Sequence, residues 1–144
     1  MKTYELTRSE AGRDLAEDSG DLAERIADDE YARYSRFGVE NFDLSDSDSG
    51  ALAEVKSTAT TLDSGAAGRF RLWRQQHEKL LRADREGSAR YIFVLFDVSS
   101  RPVVARLVAK QPADVGNVIG ARGGWNQSGH DMGEQHKLPI EAVF

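Results

Sequence analysis

The chain has 144 residues, 40% hydrophobic and 30% charged, with a net charge of -5, which fits one globular domain around a single core. No apolar run approaches the roughly 18 residues of a membrane span, and the N-terminus lacks the apolar core of a signal peptide. The absence of cysteine excludes disulfides, thiolate metal sites and cysteine nucleophiles, so a soluble, cytoplasmic protein with no membrane partner is expected.

The charge is unevenly spread. Acidic residues crowd the first third, from Glu10 through Glu24 and Glu30 to Asp43, Asp46 and Asp48. The stretch from Arg69 to Arg90 is basic, with Arg69, Arg71 and Arg74 at its start. Cations drive binding to phosphate backbones, so this stretch is a candidate phosphate-tracking surface, competing with a plain solvated helix face.

In chain order, Ser9 to Tyr34 reads as helical, with Leu15, Leu22 and Ile26 on an intermittent apolar stripe and a break at Ser19-Gly20-Asp21. Phe37 to Leu44 reads as extended, and Ser45 to Gly50 is built of turn formers. Ala51 to Thr58 reads as a strand, so 37–58 is expected to form a hairpin. Thr60 to Gly68 is a loop of small residues. Arg69 to Arg85 is predicted to be a helix, with Phe70, Trp73, His77, Leu80 and Leu81 on its buried face. Tyr91 to Phe96 is a continuous apolar run suited to a central strand, and Val103 to Val108 follows as another. Glycine and polar residues dominate from Gln111 onward. The expected division is a domain over 1–110 with residues 111–144 as its Gly-rich C-terminal extension. The order of elements implies an α/β fold with a small mixed β-sheet flanked by helices.

The segment Ala53-Glu54-Val55-Lys56 carries the chemistry. Side chains alternate along a strand, so Glu54 and Lys56 share one face while Val55 takes the other. Asp43, on the other arm of the hairpin, brings a second carboxylate to the same place; Asp46 competes with it for that role. Two carboxylates and an ammonium on one patch are costly unless a cation or an anionic substrate completes them. That is the chemistry of metal-assisted phosphodiester cleavage.

With Gly20-Asp21-Leu22-Ala23-Glu24, Phe42-Asp43-Leu44, Glu54-Val55-Lys56 and Gln75-Gln76-His77 in this order, the chain resembles the PD-(D/E)xK nuclease superfamily, which includes restriction endonucleases and archaeal Holliday-junction resolvases. The resemblance spans roughly residues 20–97. Phe42 stands where the motif has proline. It implies a restriction-endonuclease-like core and a Mg²⁺- or Mn²⁺-dependent DNA endonuclease. Asp43, Glu54 and the Val55 carbonyl would be metal ligands, and Lys56 would orient the attacking water and offset charge on the phosphate. Glu24 would be an additional carboxylate near the metal, and Gln76 would reach the site from the next helix. The resemblance also implies a 3′-hydroxyl and 5′-phosphate product, and a two-fold homodimer for paired cuts.

Other readings compete. Glu54 and Lys56 form an ordinary cross-strand charge pair if no site exists, and the chain is then a non-catalytic nucleic-acid or protein-binding module on a nuclease-like fold. Trp73 and His77 read as core residues. His130 and His136, with Asp131 and Glu134, offer an alternative zinc site. Arg122-Gly123-Gly124-Trp125-Asn126 reads as a DNA-contacting loop, since glycine permits close approach and tryptophan stacks on bases, or equally as a segment that folds back onto the core or serves a dimer contact.

Overall fold

A computed structural model of the chain describes residues 1–39 and 42–144. In chain order, β1 (Lys2–Glu5) leads into a π-helical turn (Glu10–Asp14), α1 (Leu15–Glu17) and α2 (Ser19–Glu30). Then come β2 (Ser35–Arg36), β3 (Leu44–Ser45), β4 (Leu52–Ala59), β5 (Arg69–Trp73) and α3 (Arg74–Glu86). The remainder is β6 (Ala89–Asp97), β7 (Val104–Lys110), α4 (Pro112–Ala121), β8 (Asn126–Gln127), β9 (Glu134–Pro139) and a 3₁₀ turn at Ile140–Ala142. Among the described residues no helix is long and apolar enough to cross a membrane.

A six-stranded mixed sheet runs β1-β7-β6-β4-β3-β2. β4 and β6 are parallel, with Glu54 opposite Tyr91 and Lys56 opposite Phe93, whereas β4 meets β3 in antiparallel register. β6 is buried on both faces because its residues alternate between two cores. Ile92, Val94 and Phe96 join Ala53 and Val55 beneath Leu22, Ala23, Ile26 and Ala27 of α2. Tyr91, Phe93 and Leu95 face the opposite way, toward Leu80 of α3, Val115 and Ile119 of α4, and Phe70, Leu72 and Leu138. The fold is therefore α/β, with the small mixed sheet flanked by helices as the sequence suggests.

Local chemistry explains the helix limits. Asp18 caps α2 by accepting the Asp21 N–H at 3.0 Å. This is the break anticipated near Ser19, although a short π-helical turn precedes it. Pro112 opens α4, where a missing N–H costs nothing.

The helix predicted over Arg69–Arg85 begins only at Arg74. Its first five residues are strand β5, paired with β9 and β8 in a second, three-stranded sheet. Phe70 and Leu72 alternate inward and Arg69 and Arg71 outward, a period of two hidden inside an apparent helical stripe. The alternation also corrects Trp73, which lies half-buried between the Arg71 guanidinium and the His130 ring rather than in a core. The extended stretch expected over 37–44 includes positions 40–41, which lie outside the described residues; β3 begins at Leu44. The Gly-rich segment from Gln111 contributes α4 and β9, both packed into the second core.

The small sheet approaches the main one closely where Gly68 precedes β5. A Cβ there would collide with the Ala59 carbonyl oxygen and crowd the Thr58 hydroxyl. Gly68→Ala is expected to lower stability by about 1–3 kcal/mol, the cost of overpacking a fitted site. Ile92→Ala should cost about 2–5 kcal/mol, whereas Leu62→Ala, at a position 44% exposed, should stay within about 0.5 kcal/mol. Urea unfolding of the three variants checks this ordering.

Candidate active site

β4 carries the site because its two faces do different work. Ala53 and Val55 pack under α2, so Glu54 and Lys56 project to the face that α3 covers. Continuing the β3–β4 register beyond Leu44 opposite Ala53 sets Asp43 across from Glu54. Asp43 Oδ2 accepts the Val55 N–H at 2.8 Å, which fixes the carboxylate at the end of the ladder. In a strand the N–H and C=O of one residue point to the same side. The Val55 carbonyl therefore faces the edge at which Asp43 stands.

Glu54 is only 4% exposed. Burial and the neighbouring Asp43 carboxylate push its pKa well above the usual glutamate range, against the pull of Lys56. Burial lowers the Lys56 pKa, opposed by Glu54 and Asp43. The Lys56 ammonium donates to Gln76 Oε1 at 2.7 Å, so the second residue of the Gln75-Gln76 pair is the one that reaches it. Glu24 lies on α2 with Arg36 Nη2 at 3.8 Å. Its carboxyl is raised by burial and then by Asp43, with Arg36 opposing.

Asp46 is used differently. Its oxygens accept the Asp48 N–H at 3.0 Å and the Ser49 hydroxyl at 2.7 Å, and Arg33 lies at 3.4 Å. It is a turn residue, held by its own loop.

One neighbour of the site was not legible in the sequence. Tyr91 lies beside Glu54 in the parallel register, and its hydroxyl bonds His77 Nδ1 at 2.8 Å. Burial and the Glu54 charge both raise the Tyr91 pKa. Tyr91 sat in a run of six apolar residues that gave no sign of which face each would take. His77 is the satisfied core histidine, and burial lowers its pKa.

The arginines separate into two groups. Arg74 is taken by Glu78 at 3.1 Å and Glu134 at 2.8 Å, so it is engaged by carboxylates rather than free for phosphate. Arg69 and Arg71 point outward from β5, and Arg122 lies at the end of α4. The zinc possibility finds no support. His136 Nδ1 is bonded to the Gly124 carbonyl at 2.8 Å and His130 stacks on Trp73. Among the described residues no three His, Cys, Asp or Glu side chains gather to hold a metal.

The donor set at β4 nevertheless fits a hard divalent cation. Two adjacent carboxylates and a carbonyl are all-oxygen donors, and Mg²⁺ retains several waters instead of requiring a full protein cage. A buried acid whose proton affinity is raised by a second acid is a site short of positive charge. These groups suit binding of a cation and a phosphodiester side by side.

A comparison with curated proteins finds no match. The family profile described as a PD-(D/E)XK nuclease superfamily domain matches residues 10–144, which takes in every group described above together with the Gly-rich C-terminal segment. The mixed sheet flanked by helices is consistent with a restriction-endonuclease-like fold, and the chain belongs to the PD-(D/E)XK nuclease superfamily.

Proposed function

We propose that the protein is a Mg²⁺- or Mn²⁺-dependent DNA endonuclease, hydrolysing phosphodiesters to a 3′-hydroxyl and a 5′-phosphate. The observation that carries this is the convergence of Asp43, Glu54 and Lys56 on one face of β4, with Gln76 holding the lysine. Asp43, Glu54 and the Val55 carbonyl would hold the cation, which supplies Lewis-acid stabilisation of charge on the phosphoryl oxygens. Lys56 would orient the water and donate to the phosphate as charge accumulates there; Gln76 limits the directions its ammonium can take. Water adds to phosphorus as the bond to O3′ breaks, one proton leaving the water and one reaching O3′. Glu24, near Asp43 and restrained by Arg36, is the auxiliary carboxylate. A two-fold homodimer making paired cuts belongs to the same proposal, and a small junction-resolving or repair-type enzyme fits better than a sequence-specific one.

Cleavage of supercoiled plasmid and of a synthetic four-way junction in Mg²⁺ or Mn²⁺ tests the reading. Glu54→Ala should lower the rate by at least about 10²–10³, the usual cost of one group that stabilises the transition state. Gln76→Ala should lower kcat about tenfold with little change in KM, because it loosens Lys56 without removing its charge. Absence of metal-dependent cutting of both substrates would favour the non-catalytic module instead.

Stability supplies an independent check. The folded-state pKa of Glu54 lies above its unfolded value. Its contribution is therefore fully present below the ordinary glutamate pKa and is lost as pH rises through the elevated one. Metal-free wild type should lose melting temperature across that window relative to Glu54→Gln, as followed by circular dichroism. Mg²⁺ at tenfold its Kd should restore about 1.4 kcal/mol, or about 4 °C, to wild type and not to the variant.

A further inference from the structure

We propose that the outer face of the β5-β9-β8 sheet is a phosphate-binding surface that grips a nucleic-acid strand away from the scissile bond; this rests on the nuclease reading and adds a second anchoring point to it. The face holds a concavity of about 320 Å³ lined by Arg69, Arg122, Asn126, Gln135, His136 and Lys137. Arg71 lies directly across from Lys137 in the β5–β9 register. Three elements thus converge four cations: Arg69 and Arg71 from β5, Lys137 from β9 and Arg122 from the end of α4.

Among the described residues none of these four is paired with a carboxylate, whereas Arg25, Arg36, Arg74, Arg90 and Arg106 all are. Glu134, the acid nearest in sequence, is held by Arg74 at 2.8 Å. Uncompensated cations gathered on a protein of net charge -5 repel one another, and an anion relieves that repulsion. Gln135 Oε1, two residues from Lys137 on the same face of β9, is also buried and has no hydrogen-bond partner among the described residues, leaving polar capacity for a ligand or its waters.

A polymer of phosphates fits better than a single anion. Arg69 and Arg71, two residues apart on a strand, are spaced by about 6.7 Å along it, a separation comparable with that of neighbouring phosphates on one nucleic-acid strand. The sheet presenting them is held by Phe70, Leu72 and Leu138, all fully buried, so the strands that carry the cations are fixed before binding. β5 runs directly into α3, which carries Gln76 to Lys56. One continuous piece of chain thereby links this surface to the candidate catalytic face.

Fluorescence anisotropy of a 30-base-pair duplex in Ca²⁺ tests the proposal, with salt titration and with melting in Mg²⁺ as a separate readout of the metal site. The Arg69→Gln/Arg122→Gln/Lys137→Gln variant should bind at least tenfold more weakly, and its log–log salt slope should be shallower by about 2–3. Its metal-induced stabilisation should be unchanged. Lys2→Gln, on the edge strand β1 at the far side of the main sheet, should change affinity less than twofold. Unchanged affinity and slope in the triple variant would overturn the surface while leaving the nuclease reading intact. Patch-dependent binding without cleavage by wild type would do the reverse. Equal affinity for polyglutamate of matched charge would overturn the assignment to nucleic acid.

Discussion

Strand β4 must satisfy an apolar core and a charged site at the same time, and the rest of the molecule follows from how it does so. Its odd-numbered residues Ala53 and Val55 lie in the core beneath α2, and its even-numbered residues Glu54 and Lys56 occupy the opposite face. A slip of one residue would place both charges under Leu22 and Ile26. The parallel wall of β6 on one side and the antiparallel β3 on the other prevent that slip. The alternation that keeps the core dry therefore also aligns acid and ammonium.

The charged face is expensive to maintain without a ligand. Glu54 is buried beside a second acid, and Lys56 is half-buried with Gln76 as its hydrogen-bond acceptor. Strain of this electrostatic kind is characteristic of sites that bind something, because the penalty disappears on binding. Around this face the fold supplies rigid support. Arg36 is held by Asp21 at 2.7 Å and lies near Glu24, and Tyr91 and His77 form a buried stacked pair behind Glu54.

Much of this was legible in the sequence, for identifiable reasons. The pattern Glu-x-Lys in an apolar strand, preceded by an acid and a run of turn formers, encodes its geometry locally. Asp43, Glu54 and Lys56 accordingly met across one hairpin. The buried strand at Tyr91–Phe96 was equally plain, since six consecutive apolar residues suit burial on both faces. Strand β5 was not legible. Phe70, Trp73, His77 and Leu80 fit a helical stripe, and only pairing with the distant β9 decides for the extended form. The C-terminal segment was opaque for the same reason: glycines and polar residues carry little propensity, and β9 is specified by its partner. The closeness of Tyr91 to Glu54 is not encoded locally, because it depends on the long-range β4–β6 register.

The central claim is that Asp43, Glu54 and the Val55 carbonyl form one oxygen site for a divalent cation that serves phosphodiester hydrolysis. The most direct measurement is an anomalous difference map from crystals soaked in Mn²⁺. The account expects a peak at coordinating distance from both carboxylates and the carbonyl, lost in Glu54→Gln crystals. A map with no Mn²⁺ at β4, or with Mn²⁺ bound only elsewhere, would contradict it.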